Sequence, residues 1–151
     1  MKYKKSQMGW VAIGIFTSVI LFLYLAFSNQ WGNNPIPFIP FVAITGLFIV
    51  ISSLFYKLTI ELDESVLRLS YGIGLIRIRF KIDKLIETQI IKTPWYYGLG
   101  IRVTPKGMLY NIQGSKAVMI KYLKNGKSKS VMVGTPEPEQ LIQALEYNFK
   151  E

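Results

Sequence analysis

Neither histidine nor cysteine occurs in this 151-residue chain, so lysine, arginine, tyrosine and the carboxylates are left to do any chemistry. Those absences exclude disulfides, thiolate zinc sites, iron–sulfur clusters and cysteine nucleophiles. They also remove the commonest general base and the imidazole metal ligand. No phosphate-loop, EF-hand or zinc motif is present, and the adjacent acids Asp63 and Glu64 sit in a predicted hairpin turn, where solvation is the ordinary role. No catalytic residue, metal site, cofactor or small-molecule substrate is therefore expected. What remains is cation chemistry. Arg77, Arg79 and Lys81 recur at every second position, with Lys84 close behind; on a strand this gathers three positive charges on one face, a surface suited to anions. Trp95, Tyr96 and Tyr97, with Arg102 nearby, have the residue types enriched at binding hot spots. A small domain also needs large rings to fill its core, and for this cluster burial is the favoured expectation.

Those residues all lie in the second part of a chain whose charge is unevenly spread. The 18 basic and 9 acidic residues give a net charge of +9, and all of them lie in residues 1–5 or 57–151. From Ser6 to Tyr56 there is no formal charge. A bilayer core about 30 Å thick needs about 20 apolar residues in a helix, and residues 8–27 and 38–56 supply two such stretches. Asn29, Gln30, Gly32, Asn33, Asn34, Pro35 and Pro37 punctuate the chain between them. The expectation is a two-helix transmembrane hairpin, with Trp10, Trp31 and Tyr56 near the span ends, where amphipathic rings prefer the headgroup level. Lys2, Lys4 and Lys5 before the first span and Lys57 after the second put both termini on the cytoplasmic side of the plasma (inner) membrane by the positive-inside rule. The rival is a cleaved signal peptide, since Ala26 and Ser28 form a small-x-small pair, but the first apolar run exceeds the 7 to 15 residues of a signal core. Gly14 and Ser18 form a small-xxx-small pair that would pack within the hairpin. The spans contain no ionisable residue, which argues against transport by this chain alone.

From residue 57 the period changes to two. Leu58, Ile60 and Leu62 alternate with polar neighbours, Asp63 to Ser65 make a turn, and Leu67, Leu69 and Tyr71 return. Ile76, Ile78, Phe80 and Ile82 then oppose the basic face. Further strands are expected from about Leu85 to Lys92, over Ile101 to Thr104 with Ile101 and Val103 on one face, and from Met108 to Ile112. Val118 to Tyr122 and Val131 to Val133 flank Asn125-Gly126, a strong hairpin signal. A C-terminal helix over 136–149 is predicted from Thr135 as N-cap and Pro136 at its first position. The organisation is residues 1–56 as N-terminus and hairpin, then residues 57–151 as an α+β domain of about seven antiparallel strands in a small barrel capped by a helix.

That order of elements resembles the pleckstrin-homology (PH) superfold. The run from Trp95 through Gly98, Leu99 and Gly100 to Gly107, followed by Tyr110 and Asn111, is similar to that of small bacterial membrane proteins joining a two-span hairpin to a PH-like domain. The resemblance implies a fold rather than an activity. PH domains that bind phosphoinositides carry Lys and Arg around their first hairpin, whereas the turn here is acidic and repels phosphate. The basic strand is the substitute, worth roughly 1 kcal/mol per cation near an anionic leaflet; a solvated face conferring solubility is the equal alternative. The functional expectation is a non-enzymatic, membrane-anchored scaffold that binds a protein segment or anionic headgroups. Its partners would be membrane lipids and a protein partner or a second copy. The alternative is an accessory subunit of a larger membrane enzyme or transporter. Nucleic acid is a weak third candidate, because Lys124, Lys127 and Lys129 flank a hairpin tip, where lysine serves solubility.

Overall fold

A computed structural model describes residues 2–97 and 100–149. Nine strands and three α-helices occur among the described residues, and the chain enters the sheet before it enters the hairpin. Strand β1 (Tyr3–Met8) leads into helix α1 (Trp10–Ser28), a loop, helix α2 (Phe38–Phe55) and strand β2 (Lys57–Asp63). Then follow β3 (Val66–Tyr71), β4 (Ile76–Lys81), β5 (Lys84–Lys92), a 3-10 turn (Trp95–Tyr97), β6 (Gly100–Thr104), β7 (Gly107–Asn111), β8 (Lys116–Lys124), β9 (Lys127–Gly134) and α3 (Pro138–Phe149).

Where the spans are expected the chain forms α1 and α2, both long and apolar enough to cross a membrane. Neither behaves as a core helix: Ala26 is the one fully buried residue of α1 and α2 has none. They meet through phenylalanines, Phe27 stacking on Phe41 with ring centroids 4.3 Å apart and Phe16 tilting against Phe48. Pro40 falls in the first turn of α2, where its missing N–H costs nothing. The Gly14–Ser18 pair does not seat the neighbouring helix. Both residues are exposed, a Cβ on Gly14 would meet nothing within 4 Å, and the Ser18 hydroxyl donates back to the Gly14 carbonyl. Large aromatic side chains keep the two helices apart and leave the small residues facing outward.

The lysine-rich start of the chain is not a free tail. Residues 3–8 pair antiparallel with β2 from Tyr3↔Leu62 to Met8↔Lys57, and the ladder continues as the Gly9 N–H donates to the Tyr56 carbonyl at 2.8 Å. Tyr3 and Gln7 are buried and Lys5 is half-buried on the inner face, while Lys4 and Ser6 face outward. The hairpin is thus inserted between two adjacent strands, with a strand directly attached to each of its feet.

The strands form two sheets, β1-β2-β3-β4 and β5-β8-β9-β7-β6, rather than a closed barrel; every pairing is antiparallel except β7 with β9. Sheet one supplies Leu58, Ile60, Leu67, Leu69 and Tyr71 to a shared core, sheet two supplies Val118, Ile120, Val131 and Val133, and α3 adds Leu141, Ala144 and Leu145. The helix begins at Pro138, two residues later than predicted. Thr135 Oγ1 accepts from the Glu137 N–H, and Pro138 rather than Pro136 holds the first helical position that suits proline. Glu137 is free to take the Lys5 ammonium at 2.7 Å, a hydrogen bond that holds Lys5 above its usual pKa. In β6 the predicted phase fails at one end. Ile101 packs toward the core, but Val103 is exposed and Thr104 is buried. This strand ends its sheet, so Val103 lacks a covering neighbour, whereas Thr104 donates its hydroxyl to the Gly107 carbonyl.

A candidate anion groove at the foot of the hairpin

The outer face of the first sheet is laid out in rows by its registers. One row reads Lys4, Glu61, Arg68, Arg79 across β1 to β4, and the next reads Ser6, Thr59, Ser70, Arg77. Nearer the helices, Lys57 accepts at its carbonyl from the Gly72 N–H at 2.7 Å. These side chains line a groove of about 370 Å³ that also takes in Gly72, Ile73 and Gly74. Five cations (Lys4, Lys57, Arg68, Arg77, Arg79) and a single carboxylate (Glu61) border it.

Its electrostatics are unbalanced in a specific way. Glu61 is taken by Lys4 at 2.7 Å. Among the described residues Arg68, Arg77 and Arg79 form no ion pair, although Arg68 and Arg79 stand directly opposite one another. Like charges directly opposed across strands are destabilising, so this face carries a repulsion that an anion would relieve. The Arg77 Nε donates to the Gly74 carbonyl at 2.6 Å, which fixes the guanidinium at the helix-side end of its strand. Ser6 and Thr59 hydroxyls lie 2.9 Å apart, one donating to the other, and Ser70 continues that row. Hydroxyls between forked guanidinium groups are a donor set matched to phosphate or carboxylate oxygens.

The predicted site residues divide among five places. Arg77 and Arg79 are in the groove. Lys81 shares their strand and face but pairs with Val66 at the far end, outside the groove lining. Lys84 opens β5 in the other sheet, where it pairs with Leu123. Tyr96 is exposed and stands edge-on to Tyr97 at 5.2 Å, while Tyr97 packs on the small cluster of Leu109, Ala117, Met119 and Met132 on the outer face of sheet two. Trp95 contributes backbone to that turn; its side chain, with Gly98 and Leu99, lies outside the described residues. Arg102 borders an apolar cleft of about 500 Å³ against Ala12, Ile15, Phe16 and Phe55. Asn111, part of the quoted motif, is structural. Its Oδ1 accepts from the Ile112 and Gln113 N–H groups and its Nδ2 donates to the Gly114 carbonyl.

Sequence reasoning missed Lys4, Lys57, Arg68 and the three hydroxyls. The signal that finds them is the β2–β3 register, which follows from the Asp63–Ser65 turn and sets Thr59 beside Ser70 and Glu61 beside Arg68. Recruiting Lys4 and Ser6 requires β1, which the sequence pattern does not announce. Among the described residues no cluster of acids could hold a metal ion. The chain matches no protein family, no curated protein and no solved structure.

Proposed function

We propose that this chain is a membrane-anchored, non-catalytic module: α1 and α2 span the bilayer, and a PH-like β domain on the cytoplasmic side holds an anionic lipid headgroup in the groove of the first sheet. The observation that carries the binding half is the Arg68–Arg79 opposition, flanked by Arg77 and a row of hydroxyls, with no carboxylate among the described residues engaging any of the three arginines. Anchoring is supported by two uncharged helices with almost no buried surface. Cleavage in the Ala26–Ser28 region would delete β1 and with it one of the two ladders of β2, so the signal-peptide reading loses a paired element. The β1–β2 ladder also ties both feet of the hairpin to one side, consistent with termini that share a compartment and with an uncharged far loop.

The test uses the full chain in nanodiscs of phosphatidylcholine with a rising fraction of phosphatidylglycerol. A unique cysteine at Ser70, alkylated by a charged maleimide, reads occupancy, since anionic lipid in the groove slows the reaction. Replacing Arg68 and Arg79 by glutamine removes two cations, about 2 kcal/mol at the leaflet surface, or about 30-fold in the phosphatidylglycerol needed for half-protection. The matched variant Lys124→Gln with Lys127→Gln, at the opposite end of the domain, leaves protection unchanged. Equal loss in both variants means non-specific charge attraction and ends the groove assignment.

A second reading is supported by the exposed Gly14–Ser18 face of α1, where a further helix can approach closely. In that reading the chain is a subunit of a larger membrane assembly, and gentle extraction yields a stoichiometric multi-span partner.

A further inference from the structure

The turn between β3 and β4 is Gly72, Ile73, Gly74 and Leu75, and its first residue sits against the foot of α2. A Cβ on Gly72 would collide with the carbonyl oxygens of Ser53 and Leu54, which belong to the last turn of that helix. The Gly72 N–H also donates to the Lys57 carbonyl at 2.7 Å, so the backbone there lies beside the last turn of α2 and the first residue of β2. The 18 residues of α2 span about 27 Å, slightly less than a hydrocarbon core of about 30 Å, so its last turn has no length to spare for reaching the aqueous phase. Strand β3 runs back toward the helices, with Tyr71 opposite Leu58, and the tip carries the exposed apolar side chains Ile73 (63%) and Leu75 (72%). No charged residue interrupts Gly72 to Leu75, and Arg77 follows.

We infer that this turn enters the leaflet, with Ile73 and Leu75 in the boundary between headgroups and acyl chains, as a third point of attachment beside the two helices. The occupant of this apolar surface is lipid, because the turn continues the uncharged flank of α2 and is bordered by Arg77 and Lys57, whose charges suit lipid phosphates. Embedding the tip fixes the tilt of the first sheet and brings the open end of its groove, which Ile73 and Gly74 line, to the lipid surface. The anion reaching the groove is then a headgroup of the same leaflet and not a soluble phosphate compound. This inference rests on the anchoring reading proposed above.

Because the chain has no cysteine, single-cysteine variants report single positions. Nitroxides at Ile73→Cys and Leu75→Cys in full-length protein, reconstituted in phosphatidylcholine–phosphatidylglycerol vesicles, are compared for collision with oxygen, which concentrates in lipid, and with a water-soluble nickel chelate. Phe22→Cys in α1 and Asn125→Cys at the far hairpin serve as references. The expected result is an oxygen-to-nickel ratio at 73 and 75 several-fold above that at 125 and approaching that at 22. Ratios at 73 and 75 equal to that at 125, with 22 lipid-exposed, overturn the inserted turn and leave the anchoring intact. A water-like ratio at 22 overturns the anchoring and this inference together. In the groove, protection of Ser70→Cys by phosphatidylglycerol in the bilayer but not by soluble glycerol phosphate at the same bulk concentration supports a headgroup source; equal protection overturns it.

Discussion

The two ends of the β domain make the same backbone demands in different surroundings. At the helix end, Gly72 turns the chain at φ +56 with carbonyls of α2 standing where a Cβ would go; at the far end, Gly126 turns it at φ +73 with nothing within 4 Å of where a Cβ would stand. The charges differ in the same way. Lys124, Lys127 and Lys129 cluster at the far hairpin tip, whereas Arg68, Arg77 and Arg79 are set against one another in a ladder beside a row of hydroxyls. The comparison shows that positive charge and tight turns do not mark a site by themselves. They do so where a neighbouring element constrains them.

The sharpest way to break the comparison is to add one methyl group to each turn. Gly126→Ala pays for a left-handed alanine alone, about 1 to 2 kcal/mol. Gly72→Ala pays that and must also push α2 away from β3, so a loss of about 4 kcal/mol or more is expected, in the range reserved for severe packing faults. Thermal unfolding of both variants in one detergent reads the difference, and similar losses would show that the turn does not bear on the helix.

The same contrast explains what the sequence could tell. The basic face of β4 and the two apolar spans were legible because each is a local period: alternation with Arg77 and Arg79 outward, and a long run without charge. The Asn125-Gly126 hairpin was legible because its chemistry is contained in two residues. Strand β1 was not. Its alternation of Tyr3, Lys5 and Gln7 against Lys4 and Ser6 puts a lysine and a glutamine inward, and these become acceptable only through distant partners, Glu137 for Lys5 and the Gly134 carbonyl for Gln7 at 2.7 Å. Three lysines before an apolar span read more simply as a topology signal. Lys4 and Ser6 of the groove were hidden with that strand, and the closed barrel was expected where two open sheets share one core, because strand count alone does not fix closure.

A smaller effect separates the buried phenols from the rest of the domain. Tyr71 lies under Phe55 at 5.8 Å between ring centroids, with its hydroxyl donating to the Asn111 carbonyl, and burial pushes its pKa above the usual value; Tyr110 and Tyr122 are raised for the same reason. A group whose folded pKa is raised contributes its full stability below the unfolded value, near 10, and loses it as pH climbs through the folded value. Each phenol therefore costs at most about 1.4 kcal/mol per pH unit above about pH 10. The domain should unfold in alkali with phenolate absorbance and loss of circular dichroism rising together. Tyr71→Phe should move that midpoint upward. Phenolate formation well before unfolding would show that these rings reach water.

The smallest effect belongs to the far end of the domain. Glu64 holds φ +50 in the turn joining β2 to β3, a conformation costing a side-chain-bearing residue roughly 1 to 2 kcal/mol. Its carbonyl accepts from Asn148 Nδ2 at 3.2 Å, a bond that any residue in that conformation can keep. Glycine removes the strain but enlarges the unfolded ensemble by roughly 0.5 to 1 kcal/mol. Glu64→Gly should therefore raise stability by up to about 1 kcal/mol and leave the proposed anion protection of the distant groove untouched. The gain is open because the contact of Glu64 with α3 runs through its carbonyl, which glycine keeps; the matching turn at the helix end already has its glycine, and there the glycine is required by contact as well as by φ. A loss of stability in Glu64→Gly would mean that the carboxylate makes a contribution beyond its backbone, and would bring the acidic turn back into consideration as a functional surface.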